Sequence, residues 1–488
     1  MLPLDKLITI DKSSNTAVYL QISNTMIHQI RSGRLRKGTK LPGSRKLAES
    51  LQVHRNTLLA AYDELQAQGW IETEPRKGTF VVQDLPDIQP QGIVQTTPKA
   101  TYPRETAFTV DESRIVQFPS GQPSHEFELT IDDGFPDIRE APIEAYTREL
   151  RSLSRRSVFN KYYRYGSPEG VNYLRETLSS FLNDSRGLPI SPGNIMITNG
   201  AQMGIYLTAR LLIRPGDHVI VGDPCFWGAT RTLQQTGAEI NRVPVDGSGM
   251  DIDAVERLCK KKEIKLLYII THHQHPTTVT LSPKRRIRLL ELAAEYDFAI
   301  IEDDYDYNFH YASSPILPMA SLDQHGNVIY IGTLSKTLVP SIRMGFVVAP
   351  ENFITAVSHQ RRAVDWQGDS LKEVAIARLY ENGTMDRHIK KMIRLYRERR
   401  DRFCGLLQQK IGDRVSFDKP DGGMSAWATF LDNDLNTVEE KSRERGLRIP
   451  NSRVYNKGSV YNTIRLGFAS LNFKEQERAV EILSKSLS

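Results

Sequence analysis

Cysteine is scarce, and its three copies, Cys225, Cys259 and Cys404, are odd in number and far apart. That spacing excludes a disulfide framework and suits a reducing compartment. No stretch approaches the 18 or more consecutive apolar residues that a spanning helix needs. The opening MLPLDKLITIDKSS also lacks the charged and then apolar regions of a secretory leader. A cytoplasmic protein without a membrane partner is the expectation. Glycine and proline are at ordinary levels and no internal repeat is visible, which excludes a collagen-like rod, wholesale disorder and a solenoid. At 488 residues the chain exceeds what one core organises, so two or three domains are expected.

Charge is unevenly placed. The chain carries a net +6, and residues 1–83, with twelve Lys or Arg against seven Asp or Glu, supply +5 of it. A small basic segment on a nearly neutral body points to a polyanion-binding module, although a solvated basic face has the same charge signature. The order of elements decides between them. Residues 17–32 place Leu20, Met26, Ile27 and Ile30 at helical spacing before Gly33. Ser44 is positioned to cap a short helix, SRKLAESL; Gln52 and Val53 turn the chain, and a second helix is expected from His54 to Gln68. Two short helices joined by a tight turn form a helix-turn-helix whose second member offers Arg55, Asn56 and Thr57 to base edges. Arg suits guanine and Asn suits adenine in bidentate contacts. WIETEPRKGTFVV then reads as a hairpin wing with Arg76 and Lys77 at its tip, near phosphates.

The run LPGSRKLAESLQVHRNTLLAAYDELQAQGWIETEPRKGTF resembles the winged helix of GntR-type bacterial regulators. By that resemblance Ser44, Arg45, Arg55, Asn56, Thr57, Arg76 and Lys77 contact double-stranded operator DNA. Gly43 and His54 depart from the family, which has Ser at both places; a His cap is expected to weaken the helix start by ~1 kcal/mol relative to Ser.

Residues 84–124, rich in Pro, Gln and Thr and without sustained periodicity, read as a linker between a 1–83 head and a 125–488 body. In the body, β-prone runs at 194–198, 218–222, 239–245, 265–271, 298–303, 328–332 and 345–349 alternate with helical patterns. They predict a mostly parallel, seven-stranded α/β sheet whose ligands bind beyond the carboxyl ends of the strands. Those ends carry NGAQ, DPCFWG, THHQHPTT, EDDYDY and GTLSKTLVPSIRMG. Singly, a Lys beside Ser is usually a solvated loop residue and DDYD an acidic turn. Jointly they offer a Lys for an imine, an Asp for a ring nitrogen, a Tyr for a phenolate, and hydroxyls plus Arg for a phosphate, the set that pyridoxal 5′-phosphate requires.

These motifs, with YGSPEG at 165–170, resemble fold-type I aminotransferases, and with the head the whole chain resembles the MocR-type (GabR-like) transcriptional regulators. The resemblance implies that Lys336 condenses with the cofactor aldehyde, Asp303 pairs with the pyridine nitrogen and Tyr305 donates to the 3′ oxygen. Phe226 stacks on the ring. Ala201, Gln202, Thr333, Ser335 and Arg343 surround the phosphate, and Tyr165 reaches over from a second subunit of a homodimer. Arg465, in TIRLGFA, takes the carboxylate of an effector, and a small C-terminal subdomain begins near 385. His275 fills the place of the aminotransferases' Asn and by that resemblance is a cofactor-binding residue at the 3′ oxygen; Thr278 stands in place of a Gly and Ala201 in place of a Ser. His272, His273 and His275 also raise a metal site, but HHxH without a nearby Cys is a weak signal and none is expected. The implied function is a regulator that senses an amino acid or amine by exchange with Lys336, with weak or residual transaminase activity. A working aminotransferase with an added DNA-binding head, or a regulator using its body as a dimerisation scaffold, are the alternatives.

Overall fold

Apolar residues recurring every three to four positions build the amino-terminal unit. The computed structural model describes residues 4–85, 103–112, 115, 127–155, 157–311, 316–450 and 462–487, in two compact units, 1–110 and 111–488. Most of the expected linker lies outside the described residues. In the first unit α1 (Leu4–Leu7) and α2 (Val18–Arg31) precede the helix pair α3 (Ser44–Ser50) and α4 (Arg55–Ala67), and β1 (Ile71–Glu74) pairs antiparallel with β2 (Gly78–Val81). Ile22, Met26, Leu58, Ala61 and Leu65 are fully buried in their common core. Gln52, at φ +52°, makes the turn between the two helices, and Arg76, at φ +64°, the turn of the wing.

One cap expectation changes. Ser44 is already helical: the extended Gly43 occupies the cap position and no side chain caps α3. His54 does cap α4, its Nδ1 accepting the Asn56 N–H at 3.3 Å, so an imidazole nitrogen serves where the family has a hydroxyl.

The second unit opens with β3 (Leu129–Thr130), α5 (Ile143–Ser154) and α6 (Asn172–Arg186). There follow β4 (Ile195–Thr198), α7 (Ala201–Leu212), β5 (His218–Asp223), α8 (Trp227–Gln235), β6 (Glu239–Asp246), β7 (Gly249–Met250), α9 (Ile252–Cys259) and β8 (Ile264–Ile269). α10 (Pro283–Tyr296), β9 (Ala299–Asp304), β10 (Val328–Thr333) and β11 (Gly345–Val348) complete the sheet, in the order β4-β11-β10-β9-β8-β5-β6-β7. The five strands from β10 to β6 are mutually parallel, whereas β11 is antiparallel to both β10 and β4. All seven expected strands are present, and the two-residue β7 adds an eighth at the edge. Alternate residues serve opposite faces. Val221, Tyr268 and Ile301 pack towards Ile205 of α7 and Leu233 of α8, while Ile220, Leu267 and Ile300 pack towards Val255 of α9 and Leu289 of α10. Burial on both faces explains why these strands read as continuous apolar runs.

α11 (Glu351–Val364), α12 (Ser370–Glu381) and the long α13 (Thr384–Ile411) lead to a second layer. There β12 (Val415–Phe417), β13 (Ser425–Phe430) and β15 (Thr463–Gly467) form an antiparallel sheet, with α14 (Leu435–Glu444), β14 (Leu447–Arg448) and α15 (Phe473–Ser486). Tyr396, Phe403, Phe430, Leu466 and Leu483 form its core. β3 pairs in parallel with β14, and the Gly467 N–H donates to the Asp132 carbonyl at 2.8 Å, which ties the segment after residue 128 to this layer.

Candidate functional site

The carboxyl ends of β4, β9 and β10, with the loop after β8, enclose a cavity of about 230 Å³. Its wall brings together Ala201, Gln202, Phe226, His275, Asp303, Tyr305, Thr333, Ser335, Lys336 and Arg343, drawn from separate motifs of the sequence. Asp133, Phe135, Ile205, Ile270 and Pro340 complete it. Tyr165 and Arg465 are not in the wall: Tyr165 is 84% exposed against Trp366, and Arg465 lies behind Asp133.

Asp303 sits at the end of β9, where burial pushes its carboxyl up to about 7 against the opposing hydrogen bond from Tyr268. The Tyr268 hydroxyl donates to Oδ2 at 2.7 Å, while Oδ1 is buried without a hydrogen-bond partner among the described residues. Tyr268, from the middle of the apolar run KLLYIIT, reads in the sequence as core, and only the parallel pairing of β8 with β9 shows its second role. Lys336 follows β10. Burial, then the Arg465 guanidinium, push its ammonium down to about 8, with Asp132 and Asp133 opposing. Its Nζ donates to the Gly134 carbonyl at 2.7 Å and lies 4.0 Å from the centre of the Phe135 ring.

At the opposite side, α7 starts at Ala201 behind Gly200, which adopts φ +87°. The first-turn N–H groups of a helix lack intrahelical partners and favour an anion. Arg343 lies over this start, its Nη2 donating to the Asn199 carbonyl at 3.0 Å and sitting so close that a Cβ on Gly200 would meet it at 2.8 Å. The Ser335 N–H donates to Thr333 Oγ1 at 3.2 Å, placing both hydroxyls beside the same cup. Phe226 precedes α8 with its ring edge-on to His275, the centroids 5.2 Å apart.

The third side is where the sequence reading was incomplete. Arg465 is 1% exposed: its Nε donates to the Asp133 carbonyl at 3.2 Å and is 3.4 Å from Oδ1, while Nη1 reaches the Pro276 carbonyl (3.3 Å) and Nη2 the Tyr305 hydroxyl (3.0 Å). The Tyr305 hydroxyl donates to the His273 carbonyl at 2.8 Å. His275 Nε2 is 3.0 Å from Asp133 Oδ2, and burial lowers the His275 pKa despite that carboxylate. Asp133, Gly134 and Phe135 were missed; the paired acids before Gly-Phe-Pro in IDDGFPD were their one local signal. The three histidines of the metal reading diverge: His272 faces the Ile316 carbonyl, His273 lies between Asp306 (2.9 Å) and His310 (3.3 Å), and His275 meets Asp133.

In the amino-terminal unit Arg55 and Asn56 are exposed at the start of α4, and Arg45 is exposed on α3. Arg76 and Lys77 are exposed at the wing, where Lys77 pairs with Glu74 at 2.8 Å. The Tyr62 hydroxyl donates to the Pro42 carbonyl at 2.8 Å and holds the loop before α3 against α4.

Comparison with known proteins places both units. Residues 18–81 match the family of bacterial regulatory proteins of the gntR type, and residues 115–483 match aminotransferase class I and II. The chain is 31% identical to aromatic-amino-acid aminotransferase 1 of Thermococcus litoralis, over 80% of its own length and 92% of that protein. It is 27% identical to the probable rhizopine catabolism regulatory protein MocR of Rhizobium meliloti, over 98% of its length and 95% of that protein. The chain belongs to the MocR-type regulators. The body of this MocR-type regulator also superposes on kynurenine aminotransferase of Pyrococcus horikoshii, solved with PMP, with a TM-score of 0.68 and 29% identity over 74% of this chain and 90% of that one. Its cofactor is pyridoxal 5′-phosphate, and the residues fit the group. The orphaned Asp303 Oδ1 is an acceptor for a pyridinium N–H, Phe226 offers a ring face, the cup under Arg343 suits a phosphate, and Lys336 supplies the amine.

Proposed function

We propose that this DNA-binding regulator is a cytoplasmic homodimer in which a small amino compound, taken at Lys336, alters operator binding by the head. The observation that carries the proposal is Lys336 itself: a buried lysine held down to about 8 in a cavity whose wall it shares with Asp303, on one chain with a winged helix. Bound pyridoxal phosphate supplies an aldehyde for amines and an electron-withdrawing ring. Asp303 holds a proton at the ring nitrogen, and the α7 start with Arg343, Thr333 and Ser335 anchors the phosphate. Lys336 Nζ would supply the amine that engages the cofactor, and the Gly134 carbonyl, which accepts from it at 2.7 Å, would hold it when free. His275, engaged with Asp133 at the position where aminotransferases place Asn, supports little turnover. A head at 1–83, a tether at 84–124 and a body whose smaller part begins near 385 complete the proposed organisation, with Tyr165 reaching a second subunit. Any effect on DNA requires unequal affinity of the amine for two arrangements of the protein.

The test treats the cofactor-loaded protein with primary amines and a keto-acid acceptor, following absorbance, product and operator binding over one concentration range. Borohydride label is expected on Lys336, with a spectral shift, altered operator binding and little product. Label on another lysine, or steady product formation with operator binding unmoved, overturns the reading.

A further inference from the structure

A ligand entering this cavity meets Asp133, and Arg465 stands behind it. The Asp133 carboxylate lies beside two nitrogens, with Oδ1 3.4 Å from Arg465 Nε and Oδ2 3.0 Å from His275 Nε2, and of these two residues His275 lines the cavity whereas Arg465 does not. The Asp133 backbone carbonyl also accepts from Arg465 Nε, so chain and side chain are fixed together. Arg465 is in turn held by the Pro276 carbonyl and the Tyr305 hydroxyl. Among the described residues the only acidic groups in the wall are Asp303, which the ring nitrogen claims, and Asp133. The wall also carries apolar groups: the Phe135 ring, two residues on from Asp133, lies 4.0 Å from Lys336 Nζ, and Ile205 and Ile270 line the same cavity. Asp133 places its own carboxylate, rather than the Arg465 guanidinium, in the cavity wall, where a negative charge favours an ammonium group over a carboxylate, and the Phe135 ring suits methylene groups.

We propose that Asp133 is the specificity-determining residue of this site: it covers Arg465, so that the pocket selects primary amines without a carboxylate, and among them alkyl diamines whose second ammonium group meets Asp133. The inference rests on the reading that amines are taken at Lys336. It departs from the expectation that Arg465 receives an effector carboxylate.

The experiment uses the full-length, cofactor-loaded protein and three probes that share a carbon chain: 1,5-diaminopentane, pentylamine, and L-norleucine, which is pentylamine with an α-carboxylate. Dissociation constants are read from absorbance titrations and, independently, from the rise in melting temperature with ligand concentration. The wild type is expected to bind in the order diamine, monoamine, amino acid, with about tenfold between first and last for a charge contact in a partly solvated site. Asp133→Asn, which keeps the shape and removes the charge, is expected to tighten L-norleucine and weaken the diamine, each about tenfold, with pentylamine changed much less. Asp133→Ala removes the charge by truncation and should reverse the preference in the same sense. A wild type that prefers L-norleucine, or a variant that melts like the wild type and keeps its order of preference, overturns the inference while leaving amine sensing intact. No response to any of the three probes overturns both.

Discussion

Replacing Lys336 by Met should make the cofactor-free protein more stable at neutral pH, and the gain should vanish as the pH rises. Burial and the Arg465 guanidinium bring Lys336 from 10.5 down to about 8. At ~1.4 kcal/mol per pH unit this is a cost of about 3 kcal/mol for carrying the charge in the folded state. Methionine fills a similar volume without that charge, but gives up the Nζ hydrogen bond to the Gly134 carbonyl, worth ~1 kcal/mol. A net gain of about 2 kcal/mol remains below pH 8, where lysine is protonated in both states. Between pH 8 and 10.5 the unfolded lysine keeps its proton and the folded one does not. The unfolded state then binds more protons, wild-type stability rises with pH, and the advantage of methionine shrinks and then reverses. Urea unfolding of both cofactor-free proteins, followed by circular dichroism at pH 7, 8.5 and 10, measures this. Parallel stabilities across that range, or a methionine variant weaker at pH 7, would refute a lysine whose charge is disfavoured by its surroundings. The same cost makes the amine available to an aldehyde near neutrality.

In the head, Arg55→Ala is expected to cost ~1–3 kcal/mol in operator binding and to relax preference at one base position, whereas Arg76→Ala should weaken all sequences alike and lower the salt slope by about one. Lys77→Ala should do less than Arg76→Ala, because Glu74 already pairs with Lys77 at 2.8 Å; fluorescence anisotropy on operator and scrambled DNA over a salt series measures all three, and equal, sequence-independent losses for Arg55 would reject base readout. In the loop that carries His275, Thr278 holds φ +64°, a left-handed conformation costing a β-branched residue ~1–2 kcal/mol. Thr278→Gly should remove that strain and return ~0.5–1 kcal/mol of it through the freedom of the unfolded chain, so calorimetry should show a small rise in melting temperature, and a fall would contradict the strain.

The sheet was legible because strands buried on both faces leave uninterrupted apolar runs, each ending in polar groups that a core cannot use. Lys336 and Asp303 stood out for that reason. The reversed direction of β11 was not legible, since its four apolar residues are the same read either way and only the path of the chain from Arg343 fixes it. β3 and β7, two residues each, carry no period at all. Asp133 escaped because it follows a segment without periodicity, and its meaning comes from Arg465, 332 positions along the chain. Thr278 shows the reverse case: the departure from a family glycine was visible in the sequence, and its positive φ gives that departure a physical cost.

The antiparallel β11 also governs when the site can exist. Its first residue, Gly345, is paired on one side with Thr198 of β4 and on the other with Thr333 of β10, and a Cβ there would lie 2.7 Å from the Gly200 carbonyl carbon. A ribosome that has released residues up to α7 has made only half of the phosphate cup; the other half, and the strand that joins the two, come later. Asp133 waits longer still: at ~5–20 residues per second, the 332 positions to Arg465 take roughly 20 to 70 s. In the earlier part of that interval, until β11 is made, the unit ending at residue 110 is complete while the strands of the large sheet still lack partners. A winged helix is thus born well before the cavity, and cofactor loading belongs to the finished chain.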